Sequence, residues 1–466
     1  MSDATLGSGP LAWVEERKDQ LIADWTHACR LPSVSADGPI AVAEMAAWLA
    51  QRAEPVFDTL EQVEAPGGGP VIIGRLEGTG PGRLLIYTHY DVVPAGEGWT
   101  RDPFGAELHD GRLYARGAGD DKADVMARLH AIEAWLATRG RMPFTIIWLS
   151  EGMEEVGSPG LREVIAARHG LVEADACLWE SYYRSIDGDA PTIGFGSRGV
   201  LTVELAVRLL DADTHSAMAG IYRSAAQVLT HAVASLTDAE GRVLIPGFYD
   251  AVTPFTADDA DTVMRTPVPP IREDARQRGS LWSADERSLV RRWLYEPTFN
   301  LASIQAGPGE SEHEATLLPA AARARIDMRL MPDQDPTRIF EALERHLRDE
   351  GFREVSVRQL NAIPPAASSL KSPLALAVRQ ASKELFGGVE PLLHPVVPGS
   401  GPLHLFASSM QLDAVMPPGT IRPDSGMHGP DENAEVNHYL DVVRLTLRIF
   451  ELLAASDEFG QEEVRG

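Results

Sequence analysis

The sequence predicts an α/β protein in two parts: an open α/β unit over residues 1–198 and 361–466, split by an inserted ferredoxin-like α+β unit over residues 199–360. Three observations predict it. Short continuous apolar runs alternate with helical stretches, the pattern of a parallel sheet buried on both faces. From about residue 199 the order changes to β-α-β-β-α-β, that of a ferredoxin-like unit. The 466 residues also exceed the size at which a single core stops growing.

Residues 1–8 read as frayed. Leu11, Val14, Leu21, Ile22 and Trp25 recur at helical spacing and place a first helix over Leu11 to Leu31. A second runs from Gly38 to Ala53. Pro66-Gly67-Gly68-Gly69-Pro70 is a turn cluster between two short strands. Arg83 to Tyr87 is a buried strand ending on Thr88-His89-Tyr90-Asp91, and a helix with an amphipathic stripe follows from Ala123 to Arg139. Phe144 to Leu149 is another buried strand, ending on Ser150-Glu151-Gly152-Met153-Glu154-Glu155. A helix near Gly160 to Arg168 leads to the strand Ala176 to Trp179, which ends on Glu180. Each notable acid or histidine thus stands just past the carboxyl end of a strand, where open α/β sheets leave a crevice.

In the inserted unit, Leu201 to Leu209 alternates like a half-exposed strand and Ser224 to Leu236 is a helix. Phe299 to Gln305 and Arg323 to Leu330 are strands, Pro336 to Asp349 a helix and Glu354 to Leu360 a strand. Residues 238–296 interrupt this order with a Pro- and charge-rich insertion. Helices over Ser372 to Phe386 and Val436 to Ala455 complete the chain.

The chain carries 42 basic and 68 acidic side chains, a formal charge of −26. Such a surface repels phosphates, which argues against nucleic acid and anionic lipid as partners. There is no apolar run long enough to span a membrane and no signal-peptide pattern. Two well-separated cysteines, Cys29 and Cys177, fit a reduced cytoplasm better than a disulfide scaffold.

Taken singly, the polar strand-end residues have ordinary structural explanations. His89 could be a structural histidine and Asp120 a helix N-cap; Glu154 and Glu155 could open a solvated turn, and His428 could lie in a surface loop. Together, His89, Asp120, Glu155, Glu180 and His428 form an oxygen and nitrogen donor set suited to Zn²⁺ and similar cations. Asp91, two positions after His89, can fix its tautomer. Glycines in Arg116-Gly117-Ala118-Gly119-Asp120-Asp121-Lys122 let the backbone bring Asp120 inward. Adjacent side chains point different ways, so Glu155 can bind a metal while Glu154 faces a reacting water.

The ordered motifs resemble the M20 metallopeptidases over roughly residues 10–455. They are His89-Tyr90-Asp91-Val92-Val93-Pro94, Gly98-Trp99, Pro103-Phe104, Asp110-Gly111-Arg112-Leu113-Tyr114-Ala115-Arg116-Gly117, Asp120-Asp121-Lys122, Glu151-Gly152-Met153-Glu154-Glu155-Val156-Gly157-Ser158 and the late His428. The resemblance implies a di-zinc exopeptidase-type domain with a lid and dimerisation domain inserted. It implies two divalent metals, Zn²⁺ first with Mn²⁺ or Co²⁺ as alternatives. Asp120 would bridge them, with His89 and Glu180 on one and Glu155 and His428 on the other. A metal-bridging hydroxide would attack, Glu154 would act as general base and then acid, and Asp91 would orient His89. The Asp120–Asp121 peptide would be cis.

In the lid, Asp213-Thr214-His215-Ser216 resembles the motif whose histidine reaches into a partner's active site in homodimeric members. Arg329 matches the arginine that binds a substrate carboxylate. Ser400 and Gly401 lie in a turn resembling the pocket-lining one. Ser224 stands about where a substrate-contacting Asn is usual, although the usual glycine pair and Asn-Pro after His215 are absent. Glu180 resembles the carboxypeptidase and deacylase members, whereas Ile245-Pro246-Gly247-Phe248-Tyr249-Asp250 resembles the carnosine and Cys-Gly dipeptidase branch. A dipeptide is the leading expected substrate. An N-acyl amino acid or carboxypeptidase substrate is the alternative, and a non-catalytic binding protein on the same fold is the rival of another class.

Overall fold

The computed structural model describes residues 9–184, 190–266, 285–307 and 316–461; the expected frayed start and part of the 238–296 insertion lie outside the described residues. A six-stranded sheet has the order Thr59–Glu64, Pro70–Leu76, Thr145–Glu151, Arg83–His89, Ala176–Leu178, Asp413–Val415. The last four strands run parallel, and the first two pair antiparallel at one edge. Both faces are covered. Leu84, Ile86, Ile146 and Trp148 join one core with the helices Pro10–Arg30, Pro39–Ala53, Lys122–Arg139, Pro373–Leu385 and Val436–Ala454. Leu85, Tyr87, Ile147 and Leu149 join the other with Leu161, Val164 and Phe406. Adjacent residues therefore enter opposite cores, which is why these strands read as continuous apolar runs.

The helix Lys122–Arg139 departs from the expected amphipathic stripe: every residue from Lys122 to Ile132 is buried. It lies against both Pro10–Arg30 and Val436–Ala454, and two of its buried polar side chains bond inside the protein. Arg128 donates to Thr446 Oγ1 and, at 2.9 Å, to Ser181 Oγ. His130 Nδ1 lies 2.7 Å from the Tyr439 hydroxyl. The strand Thr145–Glu151 runs past the predicted Leu149, because the pairing continues through His89 and Glu151.

The second sheet is antiparallel throughout, ordered Thr298–Ala306, Ala321–Leu330, Gly199–Arg208, Ser356–Ile363. With helices Ala225–Ala234 and Pro336–Asp349 it completes the predicted β-α-β-β-α-β order. Its last strand continues beyond the expected boundary at residue 360 to Ile363. Among its described residues the Pro- and charge-rich insertion holds two helices, Ala257–Arg265 and Glu286–Tyr295, with a small core of Val263, Val290 and Leu294. No helix among the described residues is long and apolar enough to cross a membrane.

Candidate metal centre

Three parallel strands deliver the site. His89 closes Arg83–His89, the turn after Thr145–Glu151 carries Glu154 and Glu155, and Glu180 follows Ala176–Leu178. Asp120 precedes the helix Lys122–Arg139 across a cis Asp120–Asp121 peptide. His428 adopts a left-handed φ of 59° in the turn Gly426–Gly429, closed by the Gly429 N–H donating to the Gly426 carbonyl at 2.8 Å.

These elements converge on Asp120. His89 Nε2 lies 3.1 Å from its Oδ1 and His428 Nε2 lies 3.0 Å from its Oδ2. His428 Nε2 is also 3.2 Å from Glu155 Oε1, and His89 Nε2 is 3.6 Å from Glu180 Oε2. Asp120 thus stands between the two histidines. Donor atoms of His89, Asp120 and Glu155 lie within 4.8 Å of one another, as do those of His89, Asp121 and Glu180. Asp121 was not singled out in the sequence; it is buried and accepts from the His89 backbone N–H at 3.1 Å.

Asp91 is fully buried and does two things. Its Oδ1 lies 3.4 Å from His89 Nδ1, and its two oxygens accept from the backbone N–H groups of Glu154 and Glu155, each at 3.1 Å. His89 Nδ1 lies nearer still, at 3.2 Å, to the Asp91 backbone carbonyl, while the Asp91 carboxylate caps the turn that carries both glutamates.

The donor set fits cations. Burial, with Asp120 and Asp124 adding repulsion, pushes Glu180 up to about 7, and its Oε2 finds no hydrogen-bond partner among the described residues. Burial also raises Glu154 well above the usual carboxylate range, with Glu180, Glu155 and Asp91 adding to the shift. Buried carboxylates crowded together in this way need positive charge nearby. His428 is raised to about 10 by its hydrogen bonds to Asp120 and Glu155.

A cavity of about 540 Å³ holds His89, Asp120, Glu154, Glu155, Glu180 and His428 together with Arg329, Ser400 and Gly401. Arg329 Nη1 donates to Ser400 Oγ at 2.9 Å. A Cβ on Gly401 would stand 2.8 Å from Glu154 Oε1, a contact relieved by a small shift of that carboxylate. An adjoining cleft of about 730 Å³ shares Glu154, Glu155, Arg329, Ser400 and Gly401 and reaches Thr202 and Asn361 of the second sheet.

A profile of peptidase family M20/M25/M40 matches residues 85–452. The chain belongs to this family. It is therefore a metallopeptidase-type hydrolase. A Beta-Ala-His dipeptidase from Homo sapiens is 28% identical over 404 residues, 82% of this chain and 77% of that protein. A Cys-Gly metallodipeptidase from Schizosaccharomyces pombe is 28% identical over 363 residues, 72% of this chain and 74% of that one. The crystal structure of an M20 family metallo-carboxypeptidase from Sulfolobus solfataricus matches with a TM-score of 0.85 at 30% identity, covering 94% of this chain and 100% of that one.

Two expected site residues of this peptidase lie outside its own cavity. His215 is exposed in the short ribbon Thr214–His215 with Leu317–Leu318, where its Nδ1 accepts from the Ala217 N–H at 3.1 Å. Ser224 does not line the cavity either. Its hydroxyl accepts from the Gln227 N–H as the N-cap of helix Ala225–Ala234, so the expected substrate contact gives way to a capping role. Ser224→Ala is accordingly expected to cost about 1 kcal/mol of stability in denaturant or thermal unfolding, with KM unchanged. A raised KM at unchanged stability would restore the substrate contact.

The strongest residue missed in sequence is Glu432, 1% exposed. Its Oε1 accepts from the Gly119 and Asp120 N–H groups at 3.0 and 3.2 Å, and its Oε2 from the Gly117 N–H at 3.2 Å and Arg116 Nη1 at 2.5 Å. Arg116 Nη2 also donates to the Gly429 carbonyl at 2.9 Å. The pair ties the His428 turn to the Asp120 loop. Arg116 lies in the Asp110–Gly117 motif, but nothing local in the sequence links it to Glu432.

Proposed function

We propose that this peptidase hydrolyses dipeptides, using two divalent metal ions held by His89, Asp120, Glu155, Glu180 and His428, with Zn²⁺ as the leading metal and Mn²⁺ or Co²⁺ as alternatives. The observation that carries the proposal is the sharing of one cavity by the donor cluster, Glu154 and the Arg329–Ser400 pair. A substrate whose terminal carboxylate meets Arg329, whose forked donors suit it, has its scissile bond within the same enclosure as Glu154. Bound metal ions would supply Lewis acidity and ease the loss of a proton from water. Glu154 takes that proton and returns it to the leaving amine. Asp91 holds the turn so that Glu155 faces the donor cluster while Glu154 faces the substrate. The dipeptidases among the relatives and the Ile245 to Asp250 motif support the dipeptide assignment.

Carboxypeptidase action is the second reading, favoured by Glu180 and by the likeness to the Sulfolobus solfataricus enzyme. The catalytic unit spans residues 1–198 and 361–466 and the lid 199–360, with its last strand running on to Ile363. The exposed His215 supports a homodimer in which each lid serves its partner's cavity. Two free buried thiols, Cys29 and Cys177, support a cytoplasmic setting.

The test is a panel of dipeptides, longer peptides and N-acyl amino acids. Chelation is expected to abolish turnover and lower the thermal midpoint, and adding back Zn²⁺, Mn²⁺ or Co²⁺ to restore both. Turnover that survives complete metal removal would sink the proposal. Faster release of C-terminal residues from longer peptides than from dipeptides would select the carboxypeptidase.

A further inference from the structure

The insertion at residues 238–296 has no part in the chemistry above, yet one of its residues reaches the cavity. Trp293, in the helix Glu286–Tyr295, lines the same enclosure as Arg329 and Glu154. It is 36% exposed, unusual for a side chain with so much apolar surface to bury. It is also held firmly. Arg198 Nη2 donates to the Trp293 and Arg292 carbonyls at 2.7 and 3.2 Å. Val290 and Leu294 of the same helix pack on Val263. Arg287 Nη1 donates to the Val263 and Thr266 carbonyls at 2.8 and 3.0 Å. The indole stands edge-on to buried His394, with centroids 6.5 Å apart and planes at 83°. An apolar ring pinned on a cavity wall is a preformed contact surface.

Its place in the cavity follows from its anchor. Arg198 is 3% exposed, and its backbone N–H donates to the Gly399 carbonyl at 3.0 Å, next to Ser400. Burial and the nearby Arg329 together lower Arg198 to about 10. Trp293 therefore stands at the end of the cavity where Arg329 and Ser400 await a carboxylate. Val397, Leu403 and Met416 line the same enclosure, and Ser197 adds a buried hydroxyl without a partner among the described residues.

We propose that the insertion builds a subsite for the side chain of the substrate's C-terminal residue, with Trp293 as its specificity-determining wall, and that this subsite takes apolar side chains. The proposal rests on the dipeptide assignment and on Arg329 as the carboxylate anchor. Arg198 and Arg329 make the same end unfavourable for Lys or Arg side chains, whose charge they would repel.

The test uses the metal-loaded full chain and dipeptides that share one N-terminal residue and end in Gly, Leu, Phe or Lys. Wild type is expected to favour Leu and Phe over Gly by at least about tenfold in kcat/KM, the scale set by one apolar group in a fitted pocket, with Lys disfavoured. Trp293→Ala is expected to erase most of that ratio through KM, and Trp293→Phe to keep most of it. A Trp293→Ala protein that loses activity equally on all four substrates, or keeps the wild-type ratio, overturns the subsite. Calorimetric binding of the same dipeptides to Glu154→Gln, with and without Trp293→Ala, separates this outcome from failure of the dipeptidase reading. A Leu-over-Gly binding preference that vanishes with Trp293 upholds the subsite even if wild type turns over none of them. No such preference overturns it.

Discussion

Glu154→Gln is expected to lower kcat by about 10²–10⁴-fold on every substrate the wild type cleaves, while the metal content stays at the wild-type level. The amide keeps the size of the side chain and its fit against Gly401, where the glycine leaves room for Glu154 Oε1. It removes only the ability to take and return a proton. Glu154, unlike its neighbour Glu155, is not among the residues proposed to hold the metal ions, so metal retention is the expected companion result. The Asp91 cap on the Glu154 and Glu155 N–H groups depends on the backbone alone and survives the change. Elemental analysis of the purified variant, alongside steady-state kinetics, checks both halves. Wild-type turnover would remove Glu154 from the proton transfer. Loss of metal together with activity would instead make it a ligand.

Much of this site was legible because buried parallel strands announce themselves. Arg83 to Tyr87 and Phe144 to Leu149 are continuous apolar runs because alternate residues enter two cores, and the polar residues that follow mark where each strand leaves the sheet. His89, Glu155 and Glu180 are therefore readable as strand-end residues. Their expected partition around Asp120 came from the family resemblance alone; the structure brings His89 and His428 to its two oxygens. Other features left no local trace. The Arg116–Glu432 pair joins positions 316 residues apart, and no periodicity reports such a contact. The two described insertion helices have nine and ten residues and bury only Val263, Val290 and Leu294 in a core of their own, so few apolar residues mark them among the charged ones. The helix Lys122–Arg139 misled in the opposite direction. Its charged residues read as a solvated face, but Asp124, Arg128 and His130 are buried and paired inside the protein.

Glu432 carries the other large expected effect, because one buried carboxylate serves both the Asp120 loop and, through Arg116, the His428 turn of the proposed metal centre. Glu432→Leu would leave the Arg116 charge buried without its carboxylate partner and three loop N–H groups unpaired. Breaking a buried pair in this way costs about 3–5 kcal/mol, so a marked fall in thermal midpoint is expected. Glu432→Gln is the more informative variant. Gln retains one acceptor oxygen, which can serve the Gly119 and Asp120 N–H groups or the Arg116 side, but not both. The Asp120 loop or the His428 turn then loses its fixed position relative to the other. Partners of this kind behind metal ligands typically contribute about 10–100-fold to metal affinity or activity. The expected result is a folded protein with weaker metal binding by calorimetry and low activity that excess metal partly restores. A residue that mattered only for folding would give lower stability with unchanged metal affinity per folded molecule. Adding Arg116→Met to Glu432→Leu sharpens the distinction. Removing the stranded charge should recover part of the thermal midpoint, while metal affinity stays low because nothing then holds the Gly117, Gly119 and Asp120 N–H groups. Recovery of both together would mean that the buried charge, and not the placement of Asp120, had set the effect.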